Sequence, residues 1–202
     1  MGFKKALASA FTKARGWTLD IEDLPDKVLV VGAPHTSNWD AAHMLAAFWT
    51  LGRKPHFLVK DSIVKIPVFG ALVRALGGIA VDRSASNGMV GSLIERLEND
   101  DDFIVAITPK GTRGKREFWK SGFYRIALEA DIPVELGFVD STTKTFGWAA
   151  SMRLTGDVKA DMEKIREFYA DKTGIKPELT CTPRLRAEDD EEARNYLLSG
   201  LN

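Results

Sequence analysis

The chain is 202 residues long and 45% hydrophobic, which suits one folded domain with a full core and excludes a disordered polypeptide. Its 28 basic residues balance its 28 acidic ones, so no global field draws it to nucleic acid, and any attraction for anions must come from local clusters. The single cysteine, Cys181, excludes an internal disulfide and a thiolate-rich metal site, and it fits a reducing compartment.

Residues 3–17 read as a short amphipathic helix, with Phe3, Leu7, Phe11, Ala14 and Trp17 interleaved with Lys4, Lys5, Lys13 and Arg15. Such a helix either lies at a lipid headgroup interface or packs on the domain surface, and the residues alone support both readings. From Lys27 onward, strand-like and helix-like segments alternate. Strands are expected at 27–32, 56–60, 78–82, 103–108 and 134–139, and helices at 38–51, 68–76, 87–99 and 118–130. This alternation predicts an α/β domain with a central, largely parallel or mixed sheet flanked by helices. Residues 145–155 read as a further strand or hairpin, and polar-faced helices at 158–172 and 188–200 close a single domain spanning 1–202. Residues 177–183, which hold Cys181, form the one irregular, linker-like stretch. The longest apolar runs, 41–51 and 66–76, fall short of the ~20 residues that a bilayer span needs, and no signal peptide with a cleavage site is evident.

Four places carry candidate chemistry. In the first, His35 and Asp40 lie five residues apart where a helix begins. On a continuous helix they would point about 140° apart, so they meet only if His35 precedes the helix and Asp40 sits in its first turn. The strand at 27–32, the break at Ala33-Pro34 and the possible N-caps Thr36, Ser37 or Asn38 allow that geometry. A neutral His35 would then take a proton from a hydroxyl while Asp40 orients the ring and stabilises the imidazolium. A lone histidine is more often a surface or satisfied core residue, and the strand–break–cap context is what favours the functional reading.

In the second, the strand at 78–82 leads into Arg83 at its carboxyl edge, where ligands bind in open α/β sheets. Arg83 suits bidentate phosphate capture, or else it pairs with Asp82 or another carboxylate. In the third, a strand ends in Thr108-Pro109-Lys110-Gly111-Thr112-Arg113, followed by Lys115 and Arg116. Gly111 permits close backbone approach and an anion-binding nest; the bland reading is a solvated basic loop, but the position after a strand favours anion binding, with Lys110, Gly111, Thr112 and Arg113 as the substrate-binding candidates. The fourth is Ile132-Pro133-Val134, where Pro133 either marks a site or simply begins a strand. His43 and His56 have no evident ligand partners, and three histidines with one cysteine argue against a zinc site. Phe118, Trp119, Phe123 and Tyr124 read as helix-packing aromatics, with an acyl channel as the alternative.

Taken in order, these blocks resemble the signature motifs of the glycerolipid acyltransferases, the 1-acylglycerol-3-phosphate acyltransferases and their relatives. The H-x-x-x-x-D motif corresponds to His35 and Asp40, the glycine-containing strand ending in arginine to Gly78 through Arg83, and the third motif to Pro109, Gly111, Thr112 and Arg113. The isoleucine-proline-valine entry corresponds to Ile132, Pro133 and Val134. The resemblance implies that His35 is the general base and Asp40 its orienting partner, while Arg83 and Arg113 grip an acceptor phosphate and Gly111 shapes the backbone near it. It implies an acyl-CoA or acyl carrier protein thioester as co-substrate, a lysophospholipid or similar lipid acceptor, and no metal or other cofactor. It also implies a cytoplasmic protein held peripherally at the inner face of the membrane. Two departures are visible. Lys110 stands where the family carries glutamate, reversing a charge beside Arg113, and Glu135-Leu136 replaces the usual second valine-proline pair. The first departure keeps open a non-glycerolipid hydroxyl acceptor and a non-catalytic lipid-binding relative.

Overall fold

In the computed structural model, which describes residues 2–81 and 86–201, the elements run α1 (Gly2–Ala14), β1 (Thr18–Ile21), β2 (Lys27–Ala33), α2 (Trp39–Leu51), β3 (Pro55–Lys60), α3 (Asp61–Val64), α4 (Phe69–Ala75) and β4 (Gly78–Val81). They continue with α5 (Ser86–Asn99), β5 (Phe103–Ile107), α6 (Gly122–Glu129), β6 (Val134–Asp140), β7 (Thr145–Met152), α7 (Val158–Tyr169) and α8 (Glu191–Leu198). All seven strands form one sheet in the order β1-β7-β6-β2-β5-β3-β4, parallel throughout except where β7 returns antiparallel to β6. The expected mixed, mostly parallel α/β sheet is therefore present, and residues 145–155 resolve into the second arm of a hairpin.

The central strand β2 is an unbroken apolar run because both of its faces are covered, as parallel strands demand. Leu29 and Val31 enter one core with Phe103, Val134 and helices α6 and α7, while Val28 and Val30 enter the other with Phe48, Phe146 and Trp148. On the first face, the Tyr169 hydroxyl bridges the carbonyls of Val31 and Gly137 at 2.9 and 2.8 Å, fastening the end of α7 to the β2–β6 pair. Beneath α6, the fully buried Asp161 accepts from the Tyr124 hydroxyl at 2.6 Å and from the Thr155 amide at 2.7 Å.

Several boundaries differ from the sequence expectation for identifiable reasons. Helix α1 stops at Ala14 because Gly16 takes a φ of 63°, after which Trp17 leads into β1, a strand the periodicity did not announce. Strand β1 lies at the edge of the sheet and depends on Gly147: a Cβ there would stand 1.5 Å from the Asp20 carbonyl oxygen. Helix α6 starts at Gly122 rather than at 118, because Trp119 N–H donates to the Arg184 carbonyl and Lys120 N–H to the Pro109 carbonyl. Helix α1 packs on the domain, one of the two readings offered for it, along part of its surface. Ala8 and Phe11 pack toward α2, while Phe3 and Leu7 remain 82% and 46% exposed.

Glu135 lies in β6 opposite Val30 and is only 4% exposed. Burial raises its pKa above the ordinary carboxylate value, against hydrogen bonds from the Ser151 side chain and the Ala150 backbone. The folded state therefore binds its proton more tightly than the unfolded chain, so this residue's contribution to stability is fully present in acid and is lost as pH rises through and above the ordinary glutamate range. Glu135→Gln is expected to stabilise the protein near neutral pH, with the gain vanishing below about pH 4. Urea midpoints measured across that range check this, and a pH-independent difference would refute it.

Candidate functional site

Because β2 and β5 are adjacent and parallel, with Val31 opposite Ile107, the segments that leave their carboxyl ends emerge side by side. One carries His35 and the other carries Thr108 through Arg113. After a cis Ala33–Pro34 peptide the chain turns into α2, and Asp40 occupies the helix's first turn. Its Oδ2 accepts the backbone N–H groups of Thr36 and Ser37, each at 2.9 Å, and stands 3.0 Å from His35 Nδ1. That last contact is an ion-pair distance without linear hydrogen-bond alignment, and both side chains are mostly buried, at 16% and 9% exposure.

The expected side-chain N-cap is thus largely replaced by a carboxylate reaching back from inside the helix. Asn38 has helical φ and ψ and caps nothing through its side chain, whereas Ser37 Oγ accepts from Trp39 N–H at 3.2 Å. Thr36 faces away, and its Oγ1 accepts from the Lys176 amide at 3.1 Å.

A cleft of about 1350 Å³ opens beside this pair. Its lining combines the polar His35, Asp40, Thr112 and Arg113 and the backbone of Gly111 with the apolar Ala47, Phe48, Val139, Phe146 and Trp148. Gly111 holds a φ of 67°, and a Cβ there would press on the Lys120 stem at 3.2 Å. Trp119 and Phe123, expected to pack a helix, are buried and also line the cleft. Arg83 lies outside the described residues.

Lys110 goes elsewhere. It is 2% exposed, its Nζ donates to the Leu179 carbonyl at 2.6 Å, and burial lowers its pKa. It lines a smaller pocket of about 390 Å³ with Cys181, Trp119 and Tyr169, and His35 borders both cavities. The irregular stretch at 177–183 is accordingly a strap. It takes Lys110 on the Leu179 carbonyl and the Arg116 amide on Cys181 Sγ at 3.5 Å, and just beyond it Arg184 takes the Trp119 amide. Glu135 lines neither cavity.

His43 is the residue that sequence reasoning passed over. One helical turn beyond Asp40, it is fully buried in the cleft wall among Phe11, Trp17 and Phe146, with Nδ1 2.9 Å from the Trp39 carbonyl. Burial lowers its pKa, which favours the neutral ring. The three-residue spacing from Asp40 was the available signal, since it places both on one helix face.

Comparison with known proteins places this arrangement in context. Residues 19–135, more than half of the chain, match the family model described as Acyltransferase. A 1-acyl-sn-glycerol-3-phosphate acyltransferase of Pseudomonas aeruginosa is 27% identical over 119 residues, which cover 56% of this chain and 45% of that protein. The enzyme of the same name from Haemophilus influenzae is 29% identical over 107 residues, covering 50% of this chain and 42% of its own length. The match thus spans less than half the length of either relative. Among solved structures, the 1-acyl-sn-glycerophosphate acyltransferase PlsC from Thermotoga maritima aligns with a TM-score of 0.48 at 20% identity, over 74% of this chain and 67% of that one.

Lys110→Met keeps the buried stem but leaves the Leu179 carbonyl without its charged donor. It is expected to lower the unfolding free energy by roughly 1–3 kcal/mol. Chemical denaturation of both proteins measures this, and an unchanged midpoint would show that the strap does not depend on the ammonium.

Proposed function

The chain belongs to the acyltransferase family, and on that premise we propose that it moves a fatty acyl group from an acyl-CoA or acyl carrier protein thioester to the hydroxyl of a lysophospholipid or similar amphiphile. The observation that carries the reading is the His35–Asp40 pair, 3.0 Å apart in the wall of a cleft whose lining is both polar and apolar. An amphiphile would occupy such a cleft with its hydroxyl beside the histidine and its chain along the apolar part of the lining. The names of the two curated relatives support a glycerol phosphate acceptor.

In this mechanism Asp40, itself held by two backbone amides, fixes the orientation of His35 through Nδ1. The opposite ring nitrogen takes the proton of the acceptor hydroxyl as its oxygen attacks the thioester carbonyl. The carbon–sulfur bond then breaks, and the imidazolium returns the proton to the departing thiolate. No acyl-enzyme is required. Arg113, exposed at the rim, and the backbone around Gly111 and Thr112 bind the acceptor's phosphate. We place Arg83 in the same role from its motif position alone, and Lys110 as an indirect support of that loop.

The reading also puts the protein at the cytoplasmic face of a membrane, where thioester and lipid meet. Among the described residues no helix is long and apolar enough to cross a bilayer. Helix α1 supports a peripheral contact, since Phe3 and Leu7 are exposed beside Lys4 and Lys5.

With purified protein, acyl-CoA and lysophosphatidic acid, a thiol reagent is expected to report coenzyme A release. His35→Ala should reduce that turnover by at least roughly a hundredfold, far more than any change in melting temperature would explain, because the imidazole is the proton acceptor. Retained turnover would remove His35 from the mechanism. Arg113→Ala should raise the acceptor's KM by roughly tenfold, the equivalent of about 1.4 kcal/mol, while kcat changes little. An unchanged KM would move the phosphate site away from the third motif.

A further inference from the structure

Between β3 and α4 the structure presents a second apolar surface that the transfer chemistry does not use. Ile66, Val68, Phe69 and Leu72 are 48%, 87%, 50% and 53% exposed. Single exposed aliphatic residues are ordinary, but a contiguous apolar group of this size on one short segment marks an interaction surface.

The backbone holds the group outward against its own preferences. Phe69 N–H donates to the Pro67 carbonyl at 2.6 Å, closing a three-residue turn around Val68. Val68 has φ 62° and ψ −56°, a γ-turn conformation that is rare and strained, more so for a β-branched side chain. Its side chain gains no burial in return. Gly70 locks the turn from behind, since a Cβ there would stand 2.0 Å from the Val64 carbonyl oxygen. Strain at an exposed apolar residue contributes nothing to folding, so it points to a partner.

The surrounding charge says which partner. Residues 60–75 carry Lys60, Lys65 and Arg74 against the one acid Asp61; Lys65 pairs with Asp61 and Arg74 also donates to the Val64 carbonyl at 3.0 Å, which leaves the segment a net charge of +2. Lys60 and Ile63 line the large cleft, so the patch is continuous with the cleft's rim.

We propose that the turn at Val68 and the first turn of α4 dock onto an anionic lipid surface, with Ile66, Val68, Phe69 and Leu72 entering the headgroup boundary. This seats the mouth of the cleft on the bilayer that supplies the acceptor; that part rests on the acyl-transfer reading, whereas the docking itself is testable without it. The contact is additional to any made by α1, whose exposed apolar residues lie on a different element.

The test is co-sedimentation of the full chain with vesicles of phosphatidylcholine containing phosphatidylglycerol, and with phosphatidylcholine alone. The wild-type chain is expected to favour the anionic vesicles. The double variant Val68→Glu, Leu72→Glu should lower the partition coefficient at least about tenfold, with α1 left intact. Val68→Gly separates docking from folding: it relieves the strained turn, so it should raise the melting temperature while weakening vesicle binding.

Coenzyme A release with a short-chain acceptor below its micellar concentration is read on the same preparations. Vesicle binding lost in the variants while this release persists supports the docking surface. Patch-dependent vesicle binding with no release from any preparation keeps the surface and retires the acyl-transfer reading. A wild-type chain that ignores anionic vesicles, variants that bind them as the wild type does, or a dimer of the free protein that the glutamates dissolve would each overturn it.

Discussion

The carboxylate of Asp40 is the constraint on which the site depends. It lies inside the first turn of α2, yet its Oδ2 collects the amides of Thr36 and Ser37 and faces the ring of His35. An anion at that position is favoured by the partial positive charge of the helix end, and the two amides it accepts are ones the helix itself cannot satisfy. The same oxygen thereby shapes the backbone that presents the histidine and lies within ion-pair distance of its ring. Two amide contacts and the histidine contact fall on one atom, so the spacing between the two residues has little room to vary.

Around that hub, sheet topology does the assembling. Strands β5 and β6 flank β2, both parallel to it, so the carboxyl ends of β2 and β5 open at the same edge and bring together segments far apart in sequence. The strap behind them closes the arrangement: Gly174 packs on Thr36, and Lys110 and Trp119 reach Leu179 and Arg184. The histidine consequently borders both the large cleft and the smaller pocket that the strap lines.

Much of this was legible in the residues and some was not, for physical reasons. Buried parallel strands announce themselves as continuous aliphatic runs, which is why β2 and β5 stood out. Strand β1 did not, because its four residues alternate between half-buried and exposed at an edge whose partner, β7, is remote in sequence. The His35–Asp40 pairing followed from helix geometry. The direction of Lys110 did not, because a lysine in a basic loop reads as solvated, and only tertiary packing shows a carbonyl waiting for it. His43 was overlooked for a related reason: its role in the cleft wall comes from aromatic neighbours on α1 and β7 that no local pattern connects to it.

The strap's manner of attachment has an evolutionary corollary. Leu179, Pro183 and Arg184 are gripped through their main-chain oxygens, by Lys110, Arg166 and the Trp119 amide. Carbonyl groups are common to every amino acid, so substitution at those positions leaves the attachment points intact. Selection can therefore preserve the route of this segment while its letters drift.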